Sequence, residues 1–207
     1  PIVKDVYGGV IDILMKEQNI QKAIDFTKEC LQNIVDEKYP LDKLIISKSL
    51  RGYYKVPQQI AHKVLADRIG KRDPGNKPSV GDRIPFVYIN TKGKKVLQGD
   101  KIESPEYIIA NKIKPDYSFY ITNQIMKPLQ QVFALVLEKI PAFKKDVRRF
   151  RSKVAAQRRL IKENDKFIKK EADMRNKAVK ELIFDDYLRQ SDNMKKGLQN
   201  IKGFFGN

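Results

Sequence analysis

"GKRDPGNKPSVGDRIPFVYI", Gly70 to Ile89, changes character halfway along its length. Its first half is a loop dense in Gly and Pro that carries Lys71, Arg72 and Lys77. Its second half, Arg83 to Ile89, is rich in β-branched and aromatic residues and predicts a strand. Upstream, "QQIAHKVLADRIGKR" sets Ile60, Val64, Leu65 and Ile69 on one side of a helix that starts at Pro57. Gly70 and its basic neighbours suit the end of that helix. Further upstream, "KLIISKSL", Lys43 to Leu50, predicts another strand. After Ile89, "NTKGKK" reads as a turn, and "KVLQGD" can return as a third strand. The predicted sheet is small, antiparallel and formed from distant strands.

The flanks are helical. Ile20, Ala23, Ile24, Thr27, Leu31 and Ile34 recur at helical spacing, and Asn19 can cap their start. Cys30 lies on or next to that apolar face and reads as a small buried hydrophobe. Tyr39-Pro40 ends this helix. Val6, Val10, Ile13 and Leu14 mark a shorter helix before it, weakened by Gly8 and Gly9. Ser104-Pro105-Glu106 is a helix start, and Asp116 can cap the next helix, patterned from Ile121 to Ile140. Pro128 falls inside that pattern and is expected to kink it. Past Pro141 the chain is heavily basic, with a sparse apolar stripe through Val147, Phe150, Val154, Ile161, Phe167 and Ile168. That predicts one long broken helix or a helical hairpin, leaning on a neighbour along one edge.

The expected class is therefore α+β, mainly helical with a small antiparallel sheet. The expected organisation is helices over 1–42, an α+β region over 43–140, a basic helical extension over 141–190 and a flexible tail over 191–207. The chain opens at Pro1 directly into an amphipathic pattern and reads as an excised piece of something longer.

The 207 residues carry 42 Lys and Arg against 25 Asp and Glu, a net charge of +17. Such an excess points to an anionic partner: nucleic acid, an anionic membrane surface or an acidic protein. A single cysteine excludes a disulfide within the chain and a Cys-based zinc site. No run of about 18 apolar residues is present to span a membrane. No P-loop and no G-x-S-x-G elbow occurs. Lone His62 has no ligand constellation around it in sequence and reads as a surface or helix-face residue. Asp185 and Asp186 are adjacent, but neighbours on a helix diverge by about 100° and do not converge on metal. No complete active site and no metal site is expected.

Basic residues cluster at Lys48, Arg51 and Lys55, with Tyr53 and Tyr54 among them, and again at Arg68, Lys71, Arg72, Lys77 and Arg83. Cations bunched at turns suit phosphate binding. Such contacts position a duplex without reading its sequence.

Several of these residues also carry a family resemblance. The stretch from Leu41 to Ile89 resembles the C-terminal palm and thumb region of B-family DNA polymerases, most closely the replicative delta type. Ser47, Lys48, Ser49 and Leu50 match its (Thr/Ser)-Lys-x-Leu strand end. Ala66-Asp67-Arg68, Arg72 to Gly75 and Pro78 to Val87 match the helix end, the Arg-Asp-Pro-Gly loop and the strand that follow. Asp116, Tyr120, Gln124, Lys127, Pro128, Leu129 and Phe133 match a second block in the thumb. The resemblance covers roughly Pro1 to Ile140. The family's Asp-Thr-Asp and Asp-x-x-Ser-Leu-Tyr-Pro motifs do not occur here, so the catalytic aspartates are expected upstream. Its C-terminal cysteine-rich modules are also missing. A delta-like body with a basic helical end is similar to the polymerases of large DNA viruses.

The resemblance implies a part of a DNA-directed DNA polymerase whose thumb grips primer–template DNA. The palm would be its partner and would use Mg2+ for nucleotidyl transfer. The implied location is the site of DNA replication, in the host nucleus or a viral factory in the cytoplasm. The residues expected at DNA are Lys48, Arg51, Tyr54, Lys55, Lys71, Arg72, Lys77 and Arg83. Ile201, Phe204 and Phe205 have the spacing of sliding-clamp-binding peptides, although the leading Gln of that motif would fall at Leu198 and the Gln present is Gln199. The alternative reading is a standalone basic adaptor that binds nucleic acid or an acidic partner through its helical half.

Overall fold

A computed structural model describes residues 1–91 and 96–197. The helices are α1 (Ile2–Asp12), α2 (Ile20–Val35) and the single turn α3 (Leu41–Leu44). Strand β1 (Ile46–Ser49), helix α4 (Ala61–Arg72) and strands β2 (Arg83–Tyr88) and β3 (Ile102–Glu103) follow. Then come α5 (Pro105–Asn111), the short α6 (Tyr117–Phe119) and α7 (Lys127–Leu135). Helices α8 (Val147–Leu160), α9 (Asn164–Val179) and α10 (Asp185–Lys195) close the described chain. The described residues are mainly helical with a small three-stranded antiparallel sheet, and the chain divides into two compact units.

The sheet unit is Tyr39–Tyr120. Its strand order is β1-β2-β3, both pairs antiparallel, with Lys48 opposite Ile84 and Ser49 opposite Arg83. Leu65 and Ala66 of α4 pack on Ile84, Phe86, Ile102 and Leu50, which gives the sheet its one buried face. The third strand lies at Ile102–Glu103, just after the stretch expected to form it. Gln98–Lys101 is instead a 3-10 turn, because Gly99 comes against α4. A Cβ on Gly99 would meet Val64 at 2.5 Å. Tyr120 pins the unit from inside. Its buried hydroxyl donates to the Leu44 carbonyl at 2.8 Å and accepts from the Tyr88 amide at 3.0 Å. Burial pushes its phenol well above the ordinary range.

The helical unit is Ile2–Lys38 with the chain from Ile121 onward. Asn19 caps α2, its side chain accepting from Lys22 N. That helix buries Ala23, Ile24, Leu31, Ile34 and Cys30, and it ends at Val35, before Tyr39-Pro40. Helix α1 crosses it at close range through Gly9, where a Cβ would sit 2.5 Å from the Phe26 ring. Gly8 faces open space. The two adjacent glycines therefore answer oppositely to one methyl group. Gly8→Ala is expected to raise stability by about 1 kcal/mol through helix propensity. Gly9→Ala gains the same propensity but overpacks against the Phe26 ring, so it is expected to lower stability by up to about 2 kcal/mol net. Thermal melts should place Gly8→Ala above the native chain and Gly9→Ala below it.

Pro128 does not kink a continuous α-helix. It has no N–H to donate, and its ring would clash with the preceding turn. Tyr120–Met126 widens into π-helical turns, and α7 restarts with Pro128 in its first turn. The basic end is a hairpin. Arg158 lies over the Phe167 ring near the turn, and Arg175 lies over Phe150 further away, so α8 and α9 run antiparallel. Glu138 ties them together, reaching Arg151 at 2.5 Å and Arg175 at 3.4 Å. The Arg151 hydrogen bond holds its carboxyl below the usual range. Helix α10 runs to Lys195, beyond the point where the sequence pattern fades.

Candidate nucleic-acid interface

All eight residues expected at DNA belong to the sheet unit, and the strand ladder decides which of them meet. Ser49 pairs with Arg83, so the chain leaving β1 runs beside the chain entering β2. Two backbone bonds fix this: Leu50 N donates to the Asp82 carbonyl and Gly81 N donates to the Leu50 carbonyl, both at 2.8 Å. Gly81 has φ of +94°, a conformation that side chains strain, so the turn needs a glycine there. The Asp82 carboxylate accepts from Ser79 N and holds the loop shut. Arg83 lies across β1, its guanidinium donating to the Ser47 hydroxyl and carbonyl at 3.2 Å. Those partners are neutral, so its charge stays available.

On the β1 side, Lys48, Arg51 and Lys55 are exposed. Arg51 donates its backbone N–H to the Tyr54 hydroxyl at 2.7 Å, and that hydroxyl hydrogen-bonds His62 Nε2 at 3.0 Å. Tyr54 therefore shapes the loop from within and packs on the apolar core. Its neighbour Tyr53 is 81% exposed, which makes it the ring free to meet a ligand. Both tyrosines stand out equally in the sequence, and only the loop geometry separates them.

His62 reads from the sequence as a surface or helix-face residue, and the fold makes it half-buried and hydrogen-bonded. Its pKa is lowered by desolvation first, and by the charges of Lys48 and Arg51, while the Ser49 backbone opposes the shift. The unfolded ring takes a proton near the ordinary 6.5, and the folded ring takes it lower. The stability it contributes is thus complete above the unfolded value and is lost as pH falls. Melting points taken from about pH 7.5 down to about pH 5 should fall more steeply for the native chain than for His62→Gln. Parallel curves would remove His62 from the account.

On the α4 side, Lys71 and Lys77 are exposed, and Lys77 folds over Gly70, whose Cβ would meet its Cγ at 2.6 Å. Asp73 accepts from Gly75 N and Asn76 Nδ2, which sets the turn between them. Arg72 turns inward. It bonds Glu103 Oε2 at 3.0 Å and lies 3.6 Å over the Tyr107 ring. Arg68, four residues earlier, donates to the Gly99 and Ile102 carbonyls and approaches Glu103 at 3.3 Å. Glu103, 4% exposed, is thus held by two arginines and by Ser104 N. The sequence gives no sign of this cluster, because nothing local links α4 to β3.

The arrangement is a set of cations around two tied loops, with a fold-holding ion cluster behind. It suits an extended polyanion. Among the described residues, no group of three or more His, Cys, Asp or Glu could hold a metal ion. Asp185 faces Lys180 and Asp186 faces Arg189. No helix among the described residues is long and apolar enough to cross a membrane. Ile201, Phe204 and Phe205 lie outside the described residues.

Residues 1–136 match the profile of DNA polymerase family B. The chain belongs to that family. This B-family chain is 46% identical over 206 residues, 99% of its length, to a DNA polymerase of Pyramimonas orientalis virus. It is 51% identical over 74% of its length to a DNA polymerase of Acanthamoeba polyphaga mimivirus. It is 36% identical over 66% of its length to the DNA polymerase delta catalytic subunit of Caenorhabditis elegans. It spans 17%, 9% and 13% of those three proteins. A family B DNA polymerase from the hyperthermophilic archaeon Pyrobaculum calidifontis aligns with 59% of this chain and 16% of its own, at 25% identity and a TM-score of 0.46. The B-family match contains every residue expected at DNA. Helices α8 to α10 lie beyond it, within the stretch shared with the Pyramimonas orientalis virus protein.

Proposed function

We propose that this chain is part of a DNA-directed DNA polymerase used in DNA replication, and that its sheet unit is the thumb that grips primer–template duplex by its phosphates. The observation that carries the reading is the family match over 1–136, which encloses the cation-bearing loops tied at Leu50, Gly81 and Asp82. Lys48, Arg51, Lys55, Lys71, Lys77 and Arg83 supply the phosphate contacts. Tyr53 packs on a sugar. Tyr54 and Arg72 act behind them, one shaping the loop and the other neutralising Glu103.

The palm of such an enzyme would hold Mg2+, which would supply the Lewis-acid chemistry of nucleotidyl transfer. Among the described residues, no group of side chains forms that centre. Their role is to bind and orient the duplex. The polymerase would work where DNA is replicated, in a host nucleus or a viral factory, and a sliding clamp is a further partner if the terminal Ile201, Phe204 and Phe205 engage it.

Fluorescence anisotropy with labelled primer–template DNA tests this reading. Affinity should be equal for unrelated sequences and should fall steeply with salt. Absence of binding at low salt, or a strong sequence preference, would overturn it.

A further inference from the structure

We propose that the outer face of α8 is a second, separate site for the sugar–phosphate backbone of DNA, in addition to the loops of the sheet unit. The proposal rests on the DNA-binding reading above but invokes different residues.

Helix α8 carries six basic residues and no acidic one in its 14 positions. Its inner side is fixed. Phe150 is buried against Phe143 at 5.6 Å between ring centroids, and Val147, Val154 and Gln157 are half-buried. At 3.6 residues per turn, the opposite side presents Arg148, Ser152, Ala155 and Arg159, with Arg149 alongside. All five are exposed. Arg148, Arg149 and Arg159 take part in no ion pair among the described residues, whereas Arg151 is committed to Glu138 and Arg158 to the Phe167 ring. The neighbouring α9 mixes five basic residues with three acidic ones, so the unneutralised charge belongs to α8.

The chemistry of that face selects the ligand. Its centre is Ser152, Ala155 and Ala156, with no aromatic anchor of the kind that supplies most of the energy of a protein interface. Small residues between cations let a polyanion lie close along the helix. Arg148 and Arg159 stand about 16 Å apart along the axis, which is roughly five nucleotides of one strand. The groove beside α8, whose rim Arg149 shares with the outer face, is a poorer candidate, since Asp146 and Glu181 also line it.

The test compares two triple variants of the 207-residue chain. One carries Arg148→Gln, Arg149→Gln and Arg159→Gln, and the other carries Lys4→Gln, Lys169→Gln and Lys170→Gln, removing equal charge elsewhere. Circular dichroism first checks that both fold. The α8 variant should bind primer–template DNA about tenfold more weakly near 0.1 M salt. It should also lower the slope of log affinity against log salt by about 2–3, with the control close to the native chain. If the native chain binds DNA and the α8 variant behaves like the control, this site is overturned while the thumb reading stands. If the native chain does not bind DNA, both fall. A loss confined to poly-glutamate, with DNA binding unchanged, would replace the site with one for an acidic protein.

Discussion

Replacing Glu103 by Ala is expected to destabilise the chain by about 3 kcal/mol. Glu103 is 4% exposed and receives Arg72 at 3.0 Å, Arg68 at 3.3 Å and Ser104 N at 2.9 Å. Removing a buried partner leaves the opposite charge uncompensated, which costs about 3–5 kcal/mol in a dry site. The side chains of Arg68 and Arg72 remain 25% and 36% exposed and Arg68 keeps Asp100 at 3.5 Å, so the charge left behind is partly compensated and the lower end applies. For a chain of this size the melting point should fall by roughly 6–12 °C. A fall of under about 2 °C would show that the cluster is a screened surface pair instead. DNA affinity measured well below the melting point should not drop, because the change frees the Arg72 charge.

That cluster marks the limit of what the sequence could disclose. Local patterns have local causes, so the α4 face, the strands at Ile46–Ser49 and Arg83–Tyr88, the Asn19 cap and the buried Cys30 are all readable from spacing and residue type. The Arg68–Glu103–Arg72 contact joins residues more than thirty positions apart and leaves no periodic trace. The third strand is only two residues long, too short for alternation to show, and its place is set by Gly99 against Val64. Pro128 announced an interruption but not its form, since a π-helical turn and a kink both relieve a missing donor. The return of the chain after Tyr120 to the unit containing α1 and α2 depends on which apolar faces fit, not on any one of them. At the site, the cations were legible as a charge cluster. Which tyrosine faces solvent was not, because Tyr53 and Tyr54 differ only in what the loop does with them.

Neutralising Lys48, Arg51, Lys71 and Lys77 together as Gln should weaken primer–template binding on the order of 100-fold near 0.1 M salt. Each is exposed. Among the described residues Arg51 engages Tyr54 through its backbone N–H, so the guanidinium is removed without touching the loop bond. Lys77 crosses Gly70 through its aliphatic stem, which Gln keeps in part. Stability should therefore change by under about 1 kcal/mol, and a melting curve beside the native one separates lost binding from lost fold. The salt dependence carries the sharper argument. Each phosphate contact releases condensed counterions, so four lost contacts should lower the slope of log affinity against log salt by about 3–4. The loss should be the same for every duplex sequence, because phosphate contacts position DNA without reading it. Arg72→Gln supplies the contrast. Its guanidinium is already neutralised by Glu103 and covers Tyr107, so it should lower the melting point and leave the salt slope nearly unchanged. If the fourfold variant kept the native slope while Arg72→Gln reduced it, the interface would lie on the α4–β3 side of the sheet unit instead of on its tied loops.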